Sequence, residues 1–388
     1  MKPKIFTLLL LLLSTAMSRA ELKVELLTLQ PGPEVYELEG HTELRLYDPD
    51  RGIDETISWG VFDFDSPGFL YRFVKGETDY MAVAYNYPDF LISNALSGRR
   101  VISQPLNLTA DEAEYLYALV TDNVKPENRV YRYNYVKDNC ATRPLAMIEA
   151  AIGSPLTVHG DTAVSTTWRR EMTRYHANYP WYQFGIDLAL GNGIDKPLTL
   201  RETCYAPVAL NSYVGRALRP DGTPLVSGAD RVILSGMPEG APSGPTPWFL
   251  TPMAIGFYLL VFTIAVTMRA KKHELMNKIV VTALYSLAGV CGLVLTYLIF
   301  VSTHEATSPN WLYLWLNPLA FIAAIGIWLK KYNRVVFLYQ IVNFVALLAL
   351  IVVGVTGVQQ LNPAFYPYIV TYIITSVAYI YRYKCQTK

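Results

Sequence analysis

The sequence predicts an α+β extracytoplasmic domain followed by an all-α bundle of five transmembrane helices. Of the 388 residues, 52% are hydrophobic and only 17% are charged, a composition too apolar for an ordinary soluble enzyme. A short apolar run lies at the N-terminus, and long apolar segments are confined to the C-terminal part. The net charge of +1 excludes the broad basic surface that binds nucleic acid, so we expect no nucleic-acid partner.

Residues 1–20 have the pattern of a secretory signal peptide. Two lysines precede an apolar run, and small residues near Ala20 suit cleavage after that position. The apolar run is too short to cross a bilayer comfortably. The alternative is an anchor that is not cleaved. In either case we expect the next domain, residues 21–247, to be exported across the membrane.

The exported domain is followed by a second domain, residues 248–388, of different composition. Residues 21–247 contain no apolar segment long enough to cross a membrane, and they end in a run rich in Gly, Pro and Ser. The second domain contains five apolar segments, each near the roughly 20 residues that a crossing helix needs. These segments are Trp248–Thr267, Ile279–Val301, Trp311–Leu329, Val335–Val358 and Phe365–Ile380.

The charges of the loops predict the orientation of the five segments. Four basic residues lie between the first and second segments and three between the third and fourth, whereas the other two loops carry no Lys or Arg. Basic loops are typical of the cytoplasmic side. An odd number of crossings then places residues 21–247 outside. We expect an integral protein of the inner (cytoplasmic) membrane with its catalytic domain on the periplasmic side.

Cys140 lies where a helix is predicted to begin. Pro144 is tolerated only in the first turn of a helix and Gly153 is typical of a helix end, so the helix starts near Cys140. The unpaired N–H groups of a helix start lower the pKa of a thiol and can stabilise an oxyanion. We therefore expect a nucleophilic cysteine. The alternative is a disulfide with Cys204, which would make both residues structural.

Two further elements are predicted ahead of this helix. Thr109 and Glu112 form a capping box, which indicates the start of a helix that continues through Val120. The alternation of apolar or aromatic with polar residues over Val130–Val136 predicts a strand.

A nucleophilic cysteine needs a base, normally a histidine that a third polar group orients. The chain has five histidines, and His273 falls in a predicted cytoplasmic loop. His41 follows Gly40 at the start of a predicted strand, a setting that allows the ring to face a cleft. We expect His41 to be the base, and the alternative is a structural histidine.

Several motifs accompany His41 and Cys140, and together they resemble one known family. Those in the outer domain are Gly40-His41-Thr42, Leu44-Arg45, Trp59-Gly60-Val61-Phe62-Asp63-Phe64, Tyr71-Arg72-Phe73-Val74-Lys75-Gly76, Asp79-Tyr80 and Asp138-Asn139-Cys140-Ala141-Thr142-Arg143. Those in the second domain are Thr303-His304-Glu305-Ala306-Thr307 and Asn317-Pro318. The set resembles the bacterial lipoprotein N-acylation transacylase family, known as Lnb. The order of His before Asn-Cys is also similar to circularly permuted papain-like folds such as lecithin:retinol acyltransferase.

The resemblance implies a circularly permuted papain-like catalytic domain and an intramolecular acyl transfer. The sn-2 acyl chain of a diacylglyceryl lipoprotein would move through a Cys140 acyl-thioester to the α-amine of the N-terminal cysteine, giving the lyso-form lipoprotein. Cys140 would be the nucleophile and His41 its base. Diacylglyceryl lipoproteins and membrane lipid would be the partners, and neither a metal nor an organic cofactor is needed. The sequence does not predict an oligomeric state.

The other site residues are less determined by the sequence. We expect Asp63, on a neighbouring strand, to orient His41, with Asp48 and Ser58 as competitors; each is equally suited to a surface or turn-capping role. The predicted substrate-binding or oxyanion residues are Asn139, Arg143, Tyr80, His304 and Glu305. Helix-start structure is the alternative for Asn139 and Arg143, and a solvated loop at the membrane edge is the alternative for His304.

Two other functions remain open on the sequence. A membrane-anchored papain-like thiol hydrolase would use water as the acceptor and would act on cell-wall peptides or lipid esters. A non-enzymatic membrane protein would only bind a partner through its outer domain, and it would tolerate the loss of the Cys140 thiol.

Overall fold

A computed structural model describes residues 21–160, 163–236 and 244–386. The predicted signal peptide, residues 1–20, lies outside the described residues. The nine strands are β1 (Lys23–Leu29), β2 (His41–Asp48), β3 (Ile53–Val61), β4 (Asp79–Asn86), β5 (Val101–Pro105), β6 (Val130–Arg132), β7 (Ala163–Thr167), β8 (Pro197–Thr199) and β9 (Arg231–Leu234).

Seven of these strands form one antiparallel sheet in the N-terminal part of the chain. The strand order is β6-β4-β3-β2-β1-β5-β9, and β7 pairs with β8 in a separate two-stranded sheet. Strands β1, β2 and β3 follow one another in the chain, and each pairs antiparallel with the next. Antiparallel pairs of this kind need only short connections. The order places β2 and β3, which carry the candidate site residues, next to each other near the middle of the sheet.

Seven helices accompany the sheets. They are α1 (Phe69–Lys75), α2 (Tyr87–Leu96), α3 (Ala110–Asn123), α4 (Thr142–Ile152), α5 (Trp168–Tyr175), α6 (Pro180–Ala189) and α7 (Pro207–Val214). Helices α3 and α4 cover one face of the large sheet, where their apolar positions bury against the strands; Leu116 and Ile148 are fully buried against Leu44 and Ile57. This packing fixes the start of α4 over the centre of the sheet.

The predicted capping box at the start of α3 is confirmed. The Thr109 hydroxyl accepts the Glu112 N–H at 3.2 Å, and the Glu112 carboxylate accepts the Thr109 N–H at 2.7 Å. The predicted strand over Val130–Val136 is too long, because β6 ends at Arg132. The Asn134 side chain accepts the backbone N–H groups of Val136 and Lys137, and this turns the chain toward Cys140.

The C-terminal part is a bundle of helices. They are α8 (Pro252–Met268), α9 (Glu274–Phe300), α10 (Phe321–Gly326), α11 (Asn333–Thr356) and α12 (Phe365–Gln386). Within the described residues, α9 and the stretch Lys330–Thr356 are long and apolar enough to cross a membrane, by length and composition. Two shorter apolar helical stretches accompany them, Pro252–Met268 and Trp311–Gly326. The number of crossing helices therefore remains a prediction.

The third predicted segment, Trp311–Leu329, is not one continuous helix. It consists of short 3-10 turns at Trp311–Leu314 and Pro318–Ala320, followed by α10. The Asn317 side chain accepts the N–H of Leu319 at 3.2 Å, and Pro318 has no N–H to donate to a helical ladder. The apolar pattern predicted the segment but not this interruption.

Helix α6 joins the N-terminal part to the bundle. The Arg169 guanidinium lies between the carboxylates of Asp187 and Asp195, at 2.8 Å and 2.6 Å, and all three side chains are buried. Asp187 accepts the side-chain N–H of Asn362 at 2.8 Å, and Asp195 accepts the backbone N–H of Gln360 at 3.0 Å. A buried, fully paired network of this kind holds the two parts in a defined orientation.

Candidate active site

Cys140 lies in the loop between β6 and α4, two residues before the helix begins. Asn139 shapes this loop. Its side-chain oxygen accepts the N–H groups of Ala141 and Thr142 at 2.9 Å and 3.0 Å, and its side-chain nitrogen donates to the carbonyls of Tyr135 and Tyr205 at 2.7 Å and 2.9 Å. The hydrogen-bonding groups of this buried amide are thus occupied within the protein, which gives Asn139 the role of a helix cap.

The Cys140 side chain rests on the sheet at β2 and β3. A Cβ atom on Gly60 would lie 3.6 Å from the Cβ of Cys140, and Gly60 has a φ of +88° at an irregularity between β3 and β4. The backbone N–H of Thr42 donates to the Cys140 sulfur. The thiol is therefore beside the residue that follows His41.

Burial sets the protonation state of the thiol. It raises the pKa of Cys140 to about 12, and the Thr42 N–H opposes this shift only in part. The expectation of a lowered pKa from the helix start is therefore wrong for this state of the protein. The reason is that the desolvation of the thiolate outweighs the N–H groups, two of which Asn139 already occupies. Such a thiol reacts through a base that removes its proton.

His41 begins β2, as the sequence predicts. Gly40, which precedes it, has a φ of +86°, and a Cβ there would lie 2.5 Å from the Leu29 carbonyl oxygen. The Nε2 atom of His41 lies 2.8 Å from the Ser58 Oγ atom, which leaves Nδ1 without a hydrogen bond among the described residues. The pKa of His41 is lowered to about 3. Burial is the larger cause, and the charge of the nearby Arg99 guanidinium is the smaller one. The ring is therefore neutral at physiological pH.

Glu43 is a buried carboxyl close to both His41 and Ser58. It lies two residues further along β2, on the same face of the strand, and pairs in register with Ser58 on β3. Its Oε1 atom is 3.9 Å from the His41 Nε2 atom, and the nearby hydroxyls of Thr56 and Ser58 oppose the effect of burial on its pKa. Burial raises the pKa of Glu43 to about 7. The sequence predicted no role for Glu43: strand alternation places it on the face of His41, but its position beside Ser58 depends on the register between β2 and β3.

The structure does not bring Asp63 to His41. Asp63 is exposed, and its carboxylate accepts the N–H of Asp65 at 2.9 Å in its own turn; no hydrogen bond or ion pair joins it to His41 in the described part of the chain. The competitor Asp48 is buried but binds Arg51. Of the three candidates for the third group, only Ser58 contacts the imidazole.

Two tyrosines, Tyr131 and Tyr133, lie near the thiol. Tyr131 is buried, and its hydroxyl has no hydrogen-bond partner among the described residues. A Cβ on Gly60 would be 4.0 Å from this hydroxyl, which places it on the same side of β3 as Cys140. Burial raises the pKa of Tyr131, so the hydroxyl keeps its proton. Tyr80 is also buried, and it stacks on Tyr133 with ring centres 4.1 Å apart.

Arg143 is held by its own loop. Its guanidinium binds both carboxylate oxygens of Asp138, at 2.6 Å and 2.8 Å, and lies 3.5 Å from the centre of the Tyr131 ring. A bidentate pair stacked on an aromatic ring fixes both partners. Arg143 therefore positions the Cys140 loop and the Tyr131 ring, which is the alternative that the sequence left open.

His304 and Glu305 contact the N-terminal part from the outer end of α9. The His304 Nε2–H donates to the Phe73 carbonyl in α1 at 2.7 Å. The Glu305 carboxylate binds the Lys137 ammonium, three residues before Cys140. Both residues thus tie the loops around the candidate site to the bundle.

The cysteines form no disulfide in the described structure, so Cys140 and Cys204 are not linked. Cys204 is buried in the hydrophobic core of the N-terminal part, and Cys291 and Cys385 lie in the bundle helices. Cys140 lies beside Thr42, the residue that follows His41.

Two family models match the chain. The model described as the Lnb N-terminal periplasmic domain matches residues 14–174, and the model described as the Lnb transmembrane domain matches residues 245–386. No curated protein and no solved structure matches the chain. The matches confirm the predicted arrangement of an extracytoplasmic α+β domain followed by a helical membrane domain. The circular permutation remains a prediction.

Proposed function

The chain belongs to the Lnb family, a family of lipoprotein-modifying membrane proteins, and we propose that it is a cysteine-dependent lipoprotein transacylase. In this proposal the sn-2 acyl chain of a diacylglyceryl lipoprotein moves to the α-amine of its N-terminal cysteine, which gives the lyso-form. One observation carries the proposal: the partly buried thiol of Cys140 lies at the backbone of Thr42, next in the chain to a neutral His41 that is hydrogen-bonded to Ser58. These groups belong to an extracytoplasmic domain whose loops contact the membrane domain next to the site.

The first half of the reaction forms a thioester. His41 accepts the proton of the Cys140 thiol, and the sulfur attacks the carbonyl carbon of the sn-2 ester. When the tetrahedral intermediate collapses, the C–O bond to glycerol breaks, and the protonated His41 gives its proton to the leaving oxygen. The imidazole hydrogen bond to Ser58 keeps the ring oriented through both proton transfers. The products of this half are a Cys140 acyl-thioester and a free glycerol hydroxyl.

Both tetrahedral intermediates need donors for the oxyanion. We assign the backbone N–H of Cys140 as one oxyanion donor and the Tyr131 hydroxyl as the other. This hydroxyl is buried beside Gly60 and has no hydrogen-bond partner among the described residues. A buried donor without a partner is costly in the resting protein, and a developing negative charge would satisfy it. Because burial raises the pKa of Tyr131, this hydroxyl donates at any physiological pH.

The second half transfers the acyl chain to nitrogen. The neutral α-amine attacks the thioester carbonyl, its proton passes to His41, and the proton then returns to the Cys140 sulfur as the C–S bond breaks. The amine belongs to the molecule that gave the acyl chain, so it is present at a high effective concentration. This proximity favours the amine over water, since an aromatic wall of Tyr80 and Tyr133 flanks the site.

Fragmentation mass spectrometry of the N-terminal lipopeptide tests the proposal. The lyso-form is an isomer of the diacylglyceryl form, so the intact mass stays constant and only the fragments show which atom carries the acyl chain. We expect the purified full-length protein to convert the substrate to the N-acylated form, Cys140→Ala to give no conversion, and Cys385→Ala to behave as the unmodified protein. Loss of one acyl chain without N-acylation would instead identify a thiol hydrolase, and no change in any sample would favour a binding protein.

A further inference from the structure

A continuous line of aromatic rings runs from the membrane side of the N-terminal part toward Cys140. We name it the aromatic track and define it as Phe73, Phe69, Phe62, Tyr80 and Tyr133. The successive ring centres lie 6.1, 5.7, 5.0 and 4.1 Å apart. At its inner end, the Tyr133 ring lies 3.7 Å from the position of a Cβ on Gly60, and the Cβ of Cys140 lies 3.6 Å from the same position. The track therefore ends at the nucleophile.

The outer end of the aromatic track is attached to the membrane domain. Phe73 belongs to α1, and its carbonyl accepts the His304 N–H just beyond α9. Ser302 and Thr303 donate to the carbonyls of Val74 and Lys75 at 2.9 Å and 3.0 Å. Since α9 is long and apolar enough to cross the membrane, this end of the track lies at the outer face of the bilayer.

Exposure falls along the aromatic track from Phe73 to Tyr80, and Tyr133 at the thiol end is half-buried. Phe73 is 47% exposed, Phe69 and Phe62 are half-buried, and Tyr80 is 7% exposed. Two neighbours in α1, Leu70 and Tyr71, are 72% and 60% exposed. Apolar side chains exposed side by side mark a surface that binds an apolar partner. A partner that enters at α1 would lose contact with water as it passes from Phe73 to Tyr80.

We propose that the aromatic track binds the sn-2 acyl chain of the lipoprotein substrate, with the ester carbonyl at Cys140 and the chain extending over Phe62 and Phe69 to α1. This inference rests on the proposed function. A linear, uncharged chain fits the track because the charged residues near it pair elsewhere: Arg72 donates to Ser66 at 2.8 Å, and Lys75 binds Glu77 at 2.8 Å. The track also gives His304 a positioning role, since it holds α1 against the bundle.

Photo-crosslinking in Cys140→Ala tests the aromatic track without requiring any acyl transfer. The full-length variant is reconstituted in lipid nanodiscs with a synthetic diacylglyceryl lipopeptide that carries one diazirine in the sn-2 chain, either near the carbonyl or near the methyl end. We expect the first probe to label the peptides containing Tyr80 and Tyr133 and the second to label α1. Labelling confined to α1 or to the bundle, whatever the position of the diazirine, would overturn the proposal.

Chain-length selectivity provides a second test in the protein that retains Cys140. We expect Phe69→Ala to lower the ratio of transfer rates for a hexadecanoyl over an octanoyl sn-2 chain by about tenfold, because the longer chain loses more apolar contact. Tyr115→Ala, which removes an exposed ring on α3, is the matched control and keeps the ratio. An unchanged ratio in Phe69→Ala contradicts the track. The two tests can give different answers. If the crosslinks form at the expected positions but the protein that retains Cys140 transfers no acyl chain, the aromatic track is supported and the proposed function is refuted.

Discussion

The Nε2 atom of His41 lies 2.8 Å from the Oγ atom of Ser58, on the neighbouring strand of the sheet. Glu43 pairs in register with Ser58, so a buried carboxyl lies next to the hydroxyl that contacts the imidazole. We therefore propose Ser58, with Glu43 beside it, as the third group of the site. The adjacent strands β2 and β3 hold all three side chains, and a rigid support of this kind keeps a catalytic base oriented.

Ser58→Ala tests the orienting role of the hydroxyl. We expect the rate of acyl transfer at saturating substrate, kcat, to fall about 10-fold to 100-fold with little change in KM, because the His41 ring loses the partner that fixes it. Asp63→Asn, which changes an exposed turn, should leave both parameters within about twofold. The two variants are compared by timed conversion of lipopeptide. The reverse pattern would restore Asp63 as the third group.

Tyr131→Phe tests the assigned oxyanion donor. Removing one oxyanion donor lowers kcat by roughly 100-fold to 1000-fold in other enzymes, and we expect a fall of this order here. The buried hydroxyl has no partner, so its removal should leave the thermal unfolding midpoint unchanged or raise it. Tyr115→Phe serves as the control for the loss of a hydroxyl. A Tyr131→Phe protein with full activity would exclude this role, and a large loss of stability would indicate an unseen structural bond.

The raised pKa of Cys140 predicts a simple pH dependence for alkylation. The thiolate is the reactive form, and with a pKa of about 12 its fraction rises about tenfold per pH unit from pH 6 to pH 10. The rate of Cys140 carbamidomethylation by iodoacetamide, measured by peptide mass spectrometry, should follow this slope without a plateau. A plateau below pH 8 would mean that Cys140 and His41 form a stable ion pair in the resting protein.

Glu43 predicts how stability changes with pH. Its pKa is raised in the folded state to about 7 from an ordinary 4.5, so its contribution to stability is fully present below pH 4.5 and is lost as pH rises through 7. The full shift corresponds to roughly 3 kcal/mol. Because the lowered pKa of His41 acts with the opposite sign below pH 6.5, the test is a difference: the thermal unfolding midpoint of Glu43→Gln, relative to that of the unmodified protein, should rise from pH 5 to pH 8. A constant difference would show that other groups cause the pH dependence.

The sequence predicted the residues of the site that local pattern determines. The helix signals at Pro144 and Gly153 located Cys140, and the glycine and strand pattern located His41. The sequence did not predict Glu43, because its role depends on the register between β2 and β3, which single-strand alternation does not define. The expected lowering of the Cys140 pKa was wrong for a related reason. Burial raises this pKa, and burial depends on the packing of the whole domain and not on the local sequence.

In the bundle, too, the features set by local sequence were predicted, whereas those that depend on tertiary contacts were not. Apolar length predicted the positions of α8, α9, α11 and α12 within a few residues. It did not predict the interrupted third segment, since the average hydropathy of a window is insensitive to one Asn-Pro pair. The contacts of Lys137 with Glu305 and of Phe73 with His304 join residues far apart in the chain, and they are visible only in the folded structure.

The acyl-thioester on Cys140 is the central claim, and an acceptor-blocked substrate tests it most directly. A diacylglyceryl lipopeptide with an acetylated α-amine can donate its sn-2 chain but cannot receive it. The account predicts that the peptide containing Cys140 gains the mass of one acyl group, that hydroxylamine removes it, and that His41→Ala slows its formation at least 100-fold. Release of the acyl chain from this substrate with Cys140 unmodified at every time point, or acylation of another residue instead, would contradict the account.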